Sequence, residues 1–261
     1  LVASKMGIKI IHLEAGLRSY DRTMPEEINR LVTDALADIL LTPSEDANQN
    51  LMKEGIPNTK IFFVGNIMID TLYQFLPLAE KSLILENLKI QKNNYILVTL
   101  HRPSNVDKQD NLAKIFDAFD KIQREIKIIF PIHPRTRNKL SEFGLNEFVK
   151  SLKNLILAEP IGYLDFQKLM INSKLVITDS GGIQEETTAL KIPCITVREN
   201  TERPITVLEG SNEIVGLDMD KLLHLTHKAL NDQWKDSKIP VFWDGKTSQR
   251  VLKILHNYFV K

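Results

Sequence analysis

One cysteine stands in 261 residues, so no disulfide can close within the chain, and no cysteine or histidine cluster outlines a zinc site. No apolar run approaches the roughly 20 residues that a membrane-spanning helix needs. An excess of charge of one sign is also missing. Lys and Arg total 34 against 33 Asp and Glu, a formal net charge of +1, which leaves no polyanion signature and argues against a nucleic-acid partner. No secretory signal is legible, which makes cytoplasm the default compartment, and neither an internal repeat nor a low-complexity tract is present. What is there is ordinary for a folded chain: 43% hydrophobic and 26% charged residues, in a length that suits one large or two ordinary α/β domains. The first residue is Leu1, and helix-like residues run straight into a strand, the pattern expected of a sequence entered part-way through a domain.

Apolar strands and amphipathic helices alternate along the whole length. The spacing predicts strands over 8–13, 39–42, 60–64, 95–100, 127–132, 155–158, 175–178 and 192–197. Helices are predicted from Pro25 and over 45–54, 69–78 and 111–124, with a final packing helix from Thr247 that carries Val251, Ile254, Leu255 and Tyr258 at helical spacing. Repeated βα units with short polar turns imply parallel sheets covered on both faces. A Lys-, Glu- and Asn-rich stretch over 86–94 carries little core signal and is the candidate linker. The resulting division is 1–85, 86–244 and 245–261.

The chain is organised around Leu175-Val176-Ile177-Thr178-Asp179-Ser180-Gly181-Gly182-Ile183-Gln184-Glu185-Glu186. A buried strand runs through a small hydroxyl residue and two glycines into a helix. Such a turn leaves free N–H groups at a helix N-terminus, where the dipole favours an anion and glycine lets a phosphate approach the backbone. Glu186 follows about one turn later, within reach of the hydroxyls of a sugar attached to that phosphate. The same pattern also occurs as plain punctuation between strand and helix.

Glu14, His101 and Ser180 each stand just past the end of a predicted strand, where ligands of parallel sheets collect. A pair of carboxylates, Glu14 and Glu26, together with His101 can move protons once burial and neighbours bring their pKa values toward neutrality. Each has a plainer reading beside it: Glu26 as a helix-start carboxylate after Pro25, His101 as a turn residue, Glu14 as a solvated loop group. Arg203 follows the strand ending at Val197 and could clamp a pyrophosphate or form a surface ion pair. Phe166, on spacing alone, suits a core position better than a base-stacking one. His133 ends another strand, facing a ligand or capping a turn. His12 alternates within an apolar strand as a satisfied core histidine, and His224, His227 and His256 lie on predicted helices without partners.

Six segments occur in one order: His12-Leu13-Glu14-Ala15-Gly16-Leu17-Arg18, Pro25-Glu26-Glu27-Ile28-Asn29-Arg30, Val64-Gly65-Asn66 with Ile69-Asp70, Leu100-His101-Arg102, Asp179 to Glu186, and Thr201-Glu202-Arg203-Pro204. In that order and spacing the chain resembles the non-hydrolysing UDP-N-acetylglucosamine 2-epimerases over nearly its whole length. The resemblance implies a glycosyltransferase-B-like α/β architecture of two Rossmann-type domains, the first incomplete here, with a last helix that returns to the first domain. It implies an isomerase of polysaccharide biosynthesis, with Glu14, Glu26 and His101 at the family's catalytic positions. Ser180, Gly181 and Gly182 match its phosphate turn, Glu186 its ribose contact, Arg203 a further nucleotide contact and Phe166 the residue beside the uracil. No metal or cofactor is implied; the partner is a UDP-sugar, with no membrane, and the full-length protein is expected to be a homodimer.

In the mechanism so implied, a base removes the C2 proton and UDP leaves from C1 to give a 2-acetamidoglucal. Reprotonation on the other face and return of UDP then yield UDP-N-acetylmannosamine. Family members also carry further N-terminal residues, including a catalytic aspartate. Ile161 stands where some bacterial members have glutamine, and Leu100-His101-Arg102-Pro103-Ser104-Asn105-Val106-Asp107 follows a style shared with epimerases of UDP-diacetamido sugars. Such an epimerase, a transferase of the same architecture, a hydrolysing 2-epimerase and an inactive UDP-binding fragment are the competing readings.

Overall fold

The apolar runs form two parallel sheets in a computed structural model that describes residues 1–260. The first holds β1 (Ile11–Leu13), β2 (Ile39–Thr42) and β3 (Ile61–Phe63) in that order. The second holds β4 (Tyr95–Thr99), β5 (Lys127–Pro131), β6 (Leu155–Ala158), β7 (Leu175–Thr178), β8 (Cys194–Thr196) and β9 (Asn212–Ile214), in the order β6-β5-β4-β7-β8-β9. β2, β4 and β7 read as unbroken Ile, Leu and Val runs because helices cover both of their faces. Registers such as Val98 opposite Ile177 and Thr99 opposite Thr178 bring the C-terminal ends of β4 and β7 level. β9 has no strand-like period in Asn212-Glu213-Ile214 and was not expected. The strand expected over 8–13 shortens to three residues, with Ile11 and Leu13 facing solvent on the sheet edge.

Contacts divide the chain into two units. The first comprises Leu1–Gln74, Thr201–Glu209 and the residues from Ile239 onward; the second comprises Phe75–Asn200 and Gly210–Lys238. The expected boundaries at 85/86 and 244/245 therefore do not coincide with the units. The stretch over 86–94 does not act as a bare linker, since Ile90 within it and Ile84 just before it are buried. Segment 201–209, expected with the second sheet, belongs to the first unit.

In the second unit, Ile96, Val98 and Ile177 pack with Phe116, Phe119 and Phe130, whose ring centroids lie 5.5–6.4 Å apart. Cys194 is buried here, which pushes its thiol up to about 12 and leaves it inert. In the first unit, Ile39, Leu41 and Val64 are covered by Val251, Ile254 and Leu255 of the helix Thr247–Phe259. That helix is fixed at its start by Asp70, whose carboxylate accepts the N–H groups of Thr247 and Ser248 at 2.9 and 2.7 Å. Tyr258, at the same period, stays exposed against Phe259.

Candidate active site

In the second unit the order of strands reverses around β4, which lies between β5 and β7. Open parallel sheets bind ligands outside the strand ends at such a switch point. His101 follows β4 and Ser180 follows β7, so the two stand on neighbouring strands at this place.

Ser180 has extended backbone angles and begins the helix Gly181–Ala189 without capping it through its hydroxyl. Its own N–H donates to Thr178 Oγ1 at 3.0 Å. The first turn holds no acidic side chain, so its N–H groups and the helix dipole are not neutralised from within. Gly182 is informative by contrast with Gly16. At Gly16, φ is +82° and an added Cβ would fall 2.4 Å from the Ala47 carbonyl oxygen, so the fold itself demands glycine. At Gly182 the φ is ordinary and a Cβ would meet nothing within 4 Å. Neither conformation nor packing requires a glycine there, and the space in front of the turn is open.

Glu186, one turn into the same helix, is only 4% exposed. Its Oε1 accepts the Tyr163 hydroxyl at 3.0 Å, while its Oε2 is buried without a hydrogen-bond partner. Burial pushes the Glu186 carboxyl above its ordinary value, and the Tyr163 hydroxyl opposes that only in part. Burial, and then the neighbouring carboxylate, raise the Tyr163 phenol in turn. Phe166 lies on the same helix as Tyr163, Tyr163–Ile171, and is half-buried rather than sealed in the core.

Asp179 had no role assigned from sequence, yet it holds this region together. It is fully buried and accepts the N–H groups of His101 at 2.9 Å and Arg102 at 2.8 Å, and Asn105 Nδ2 at 3.0 Å. Its Oδ1 also lies 3.1 Å from His101 Nδ1. His133, at the end of β5, caps the helix Pro134–Glu142 by accepting the Arg135 N–H on Nδ1 at 3.1 Å, and its ring centroid is 5.5 Å from that of His101. Capping is thus one of the two roles expected for it.

Glu14, Glu26 and Arg203 lie in the first unit. Glu14 follows β1 with φ of 65°, a left-handed conformation that a non-glycine residue rarely adopts. The segment around it is pinned by Asp34: Oδ2 accepts the Gly16 N–H at 3.1 Å and faces Arg18 at 2.7 Å, and Oδ1 lies 2.5 Å from His12 Nδ1. His12 is therefore paired, as expected, although it is partly exposed rather than sealed in the core.

Glu26 sits exposed in the first turn of the helix Pro25–Leu36, the position that helix-start carboxylates favour. Its neighbour Glu27, expected only as a second first-turn carboxylate, is buried and accepts the N–H groups of Ser19 and Tyr20 at 3.0 and 2.9 Å and Arg30 at 3.0 Å. Burial alone would raise Glu27, but these donors outweigh it and hold the carboxyl below its ordinary value. Arg30 also faces Glu202 at 3.6 Å, and Glu202 in turn pairs with Arg203 at 2.5 Å. Arg203 is thus in an ion pair, but a largely buried one rather than the surface pair that the sequence allowed. The signal for Glu27 and Glu202 was present only as acids next to the chosen ones. Among the described residues no group of three His, Cys, Asp or Glu side chains is placed to hold a metal ion, and no helix is long and apolar enough to cross a membrane.

A strand-end histidine clamped beside a glycine turn, with a buried acceptor on the following helix, thus stands at the switch point of a parallel α/β sheet. The family model for UDP-N-acetylglucosamine 2-epimerase matches residues 1–256, and the chain belongs to that family. The UDP-N-acetylglucosamine 2-epimerase of Methanocaldococcus jannaschii is 46% identical, over 98% of this chain and 70% of its own length. The UDP-2,3-diacetamido-2,3-dideoxy-D-glucuronate 2-epimerase of Pseudomonas aeruginosa is 36% identical, over 98% of this chain and 70% of its own length. The M. jannaschii UDP-GlcNAc 2-epimerase solved in complex with UDP-GlcNAc and UDP superposes with a TM-score of 0.89 at 45% identity, covering 98% of this chain and 71% of that one. The fold class is α/β with parallel sheets, of the glycosyltransferase-B-like kind.

Proposed function

We propose that this protein interconverts UDP-N-acetylglucosamine and UDP-N-acetylmannosamine by inverting C2 of the sugar. The observation that carries the proposal is the phosphate turn: open space at Gly182, a first helical turn free of acids, and a buried Glu186 oxygen without a partner. An anion binds N–H groups at such a helix start, and a carboxylate one turn on accepts ribose hydroxyls. Phe166 offers its half-buried ring to the uracil, and Arg203 serves the nucleotide as a further contact.

A base takes the C2 proton, UDP departs from C1, a proton returns to the other face of C2, and UDP adds back to C1. Glu14, Glu26 and His101 carry the proton transfers. N–H groups at the start of the helix Gly181–Ala189 stabilise the charge that develops on departing UDP, an effect worth about 3–4 kcal/mol per well-placed donor. Incubation with UDP-N-acetylglucosamine alone tests this. The expected result is UDP-N-acetylmannosamine without an acceptor substrate. Release of free N-acetylmannosamine and UDP would point to a hydrolysing enzyme, and no turnover without an acceptor to a transferase.

The Pseudomonas relative supports a second reading, in which the substrate is a UDP-diacetamido sugar. Side-by-side turnover of both sugars decides between them. The reading also includes a cytoplasmic homodimer. Ile28 and Val32, exposed at 41% and 47% one turn apart on the helix Pro25–Leu36, offer an apolar stripe for assembly. Light scattering in solution and cell fractionation test these two parts.

A further inference from the structure

We infer that Asp179 is a positioning residue for the reaction: it holds the His101 imidazole with its proton on Nδ1, leaving Nε2 bare to exchange a proton with the substrate. This rests on the reading of His101 as an acid–base group.

The donors that Asp179 accepts show why. Backbone N–H groups of His101 and Arg102 and the Asn105 amide all converge on this fully buried carboxylate, at 2.8–3.0 Å. Both Asp179 oxygens act as acceptors of N–H groups, so of the two ring nitrogens we assign the proton to the one 3.1 Å from Oδ1. His133 also lies against the His101 ring, and its tautomer is set the opposite way. His133 Nδ1 accepts the Arg135 N–H, so its proton sits on Nε2 while the ring is neutral. Two adjacent strand-end histidines therefore hold opposite tautomers, each fixed by a different partner.

Asp179 also fixes where the imidazole stands. It directly precedes Ser180, so one residue clamps the 101–105 turn and begins the phosphate turn. The distance between the proton-transfer group and the bound phosphate is thereby set through a single backbone link. A loose imidazole at this place would lose rate even with substrate bound, because proton transfer needs reach as well as a matched pKa.

The test begins with the unmodified protein. Long-range ¹H–¹⁵N correlation of the imidazole nitrogens, with His101→Asn to assign the signals, is expected to show His101 protonated on Nδ1 and His133 on Nε2 when both rings are neutral. A His101 protonated on Nε2 overturns the proposal whatever any variant does, so it stays testable if a variant fails to fold. Asp179→Asn keeps an oxygen for the backbone donors but turns an amide N–H toward the ring, which should move the His101 proton to Nε2. We expect kcat to fall about 10²–10⁴-fold, the range for a misplaced or mistautomerised histidine, with UDP affinity kept. In a His101→Asn background the second substitution should cost little more. Normal kcat in folded Asp179→Asn overturns the positioning role. Normal turnover in His101→Asn would instead sink the acid–base reading of His101, a failure that the tautomer measurement keeps separate.

Discussion

The Tyr163 hydroxyl donates to Glu186 Oε1 at 3.0 Å, and the other oxygen of that carboxylate is buried with no partner. One half of the group is satisfied by the protein, and on the proposed function the other half accepts a ribose hydroxyl. A ribose hydroxyl donating to Oε2 favours the ionised form, so it must lower a carboxyl that burial has raised. UDP binding is therefore expected to release protons, and affinity should fall as pH drops through the raised Glu186 pKa. Titration calorimetry in buffers of different ionisation enthalpy reads the proton count. Glu186→Gln should abolish the release and weaken UDP by about 10–100-fold, the scale of a hydrogen bond to a charged group. Tyr163→Phe removes the donor that favours the anion, and should move the pH dependence upward.

Gly182 separates ligand space from fold. Gly182→Ala should leave the fold intact and stabilise it by about 0.4–1 kcal/mol, since alanine lowers the entropy of the unfolded chain and meets no atom within 4 Å. Gly182→Val should melt no lower than the parent and yet lose UDP affinity, because its methyl groups fill the approach to the N–H groups. A valine variant that binds UDP normally would remove the phosphate from this turn.

Glu27 gives a pH signature of stability in the first unit. Its folded-state carboxyl is held down by Ser19, Tyr20 and Arg30, so its contribution is present above the ordinary value of 4.5 and is lost as pH falls through the lower folded value. Glu27→Gln is expected to cost about 1–3 kcal/mol at neutral pH, and the gap to the parent should close in acid. Denaturant melts at neutral and acid pH measure both. A gap that does not change with pH would show that the charge of Glu27 is not what holds Ser19 and Tyr20.

The chemistry itself is open to isotopes. With C2 deprotonated and reprotonated on opposite faces, product formed in heavy water must carry deuterium at C2. Glu26→Gln keeps shape and hydrogen bonding but removes proton transfer, and should slow turnover about 10²–10⁴-fold with UDP affinity kept. A near-normal rate would return Glu26 to its plain role in the first turn of Pro25–Leu36. Product without deuterium would rule out the C2 route.

The strands over 39–42 and 175–178 were legible to the residue, because unbroken runs such as Ile39-Leu40-Leu41 suit a covered parallel strand; 155–158 was equally legible although it lies at the sheet edge with Leu157 exposed. β9 was not legible: Asn212-Glu213-Ile214 has no period, and its pairing with β8 comes from tertiary context. The turn from β7 into the helix Gly181–Ala189 was readable because glycine and strand-to-helix switching are local signals. Asp179 was quoted within that turn but given no role, because its donors come from His101, Arg102 and Asn105, more than seventy positions away. The membership of 201–209 was hidden for the same reason. Nothing near Arg203 announces that Glu202 faces Arg30 across the sequence.

The left-handed backbone at Glu14 makes two selections pull apart. Judged on folding yield alone, a library at this position should enrich glycine and asparagine, which take φ of 65° at little cost. Judged on turnover, it should keep glutamate. Positive φ by itself does not mark function, since Tyr20, Lys89, Asn93, Lys191, Asp232 and Phe242 share it; only a position where abundance and activity prefer different residues would.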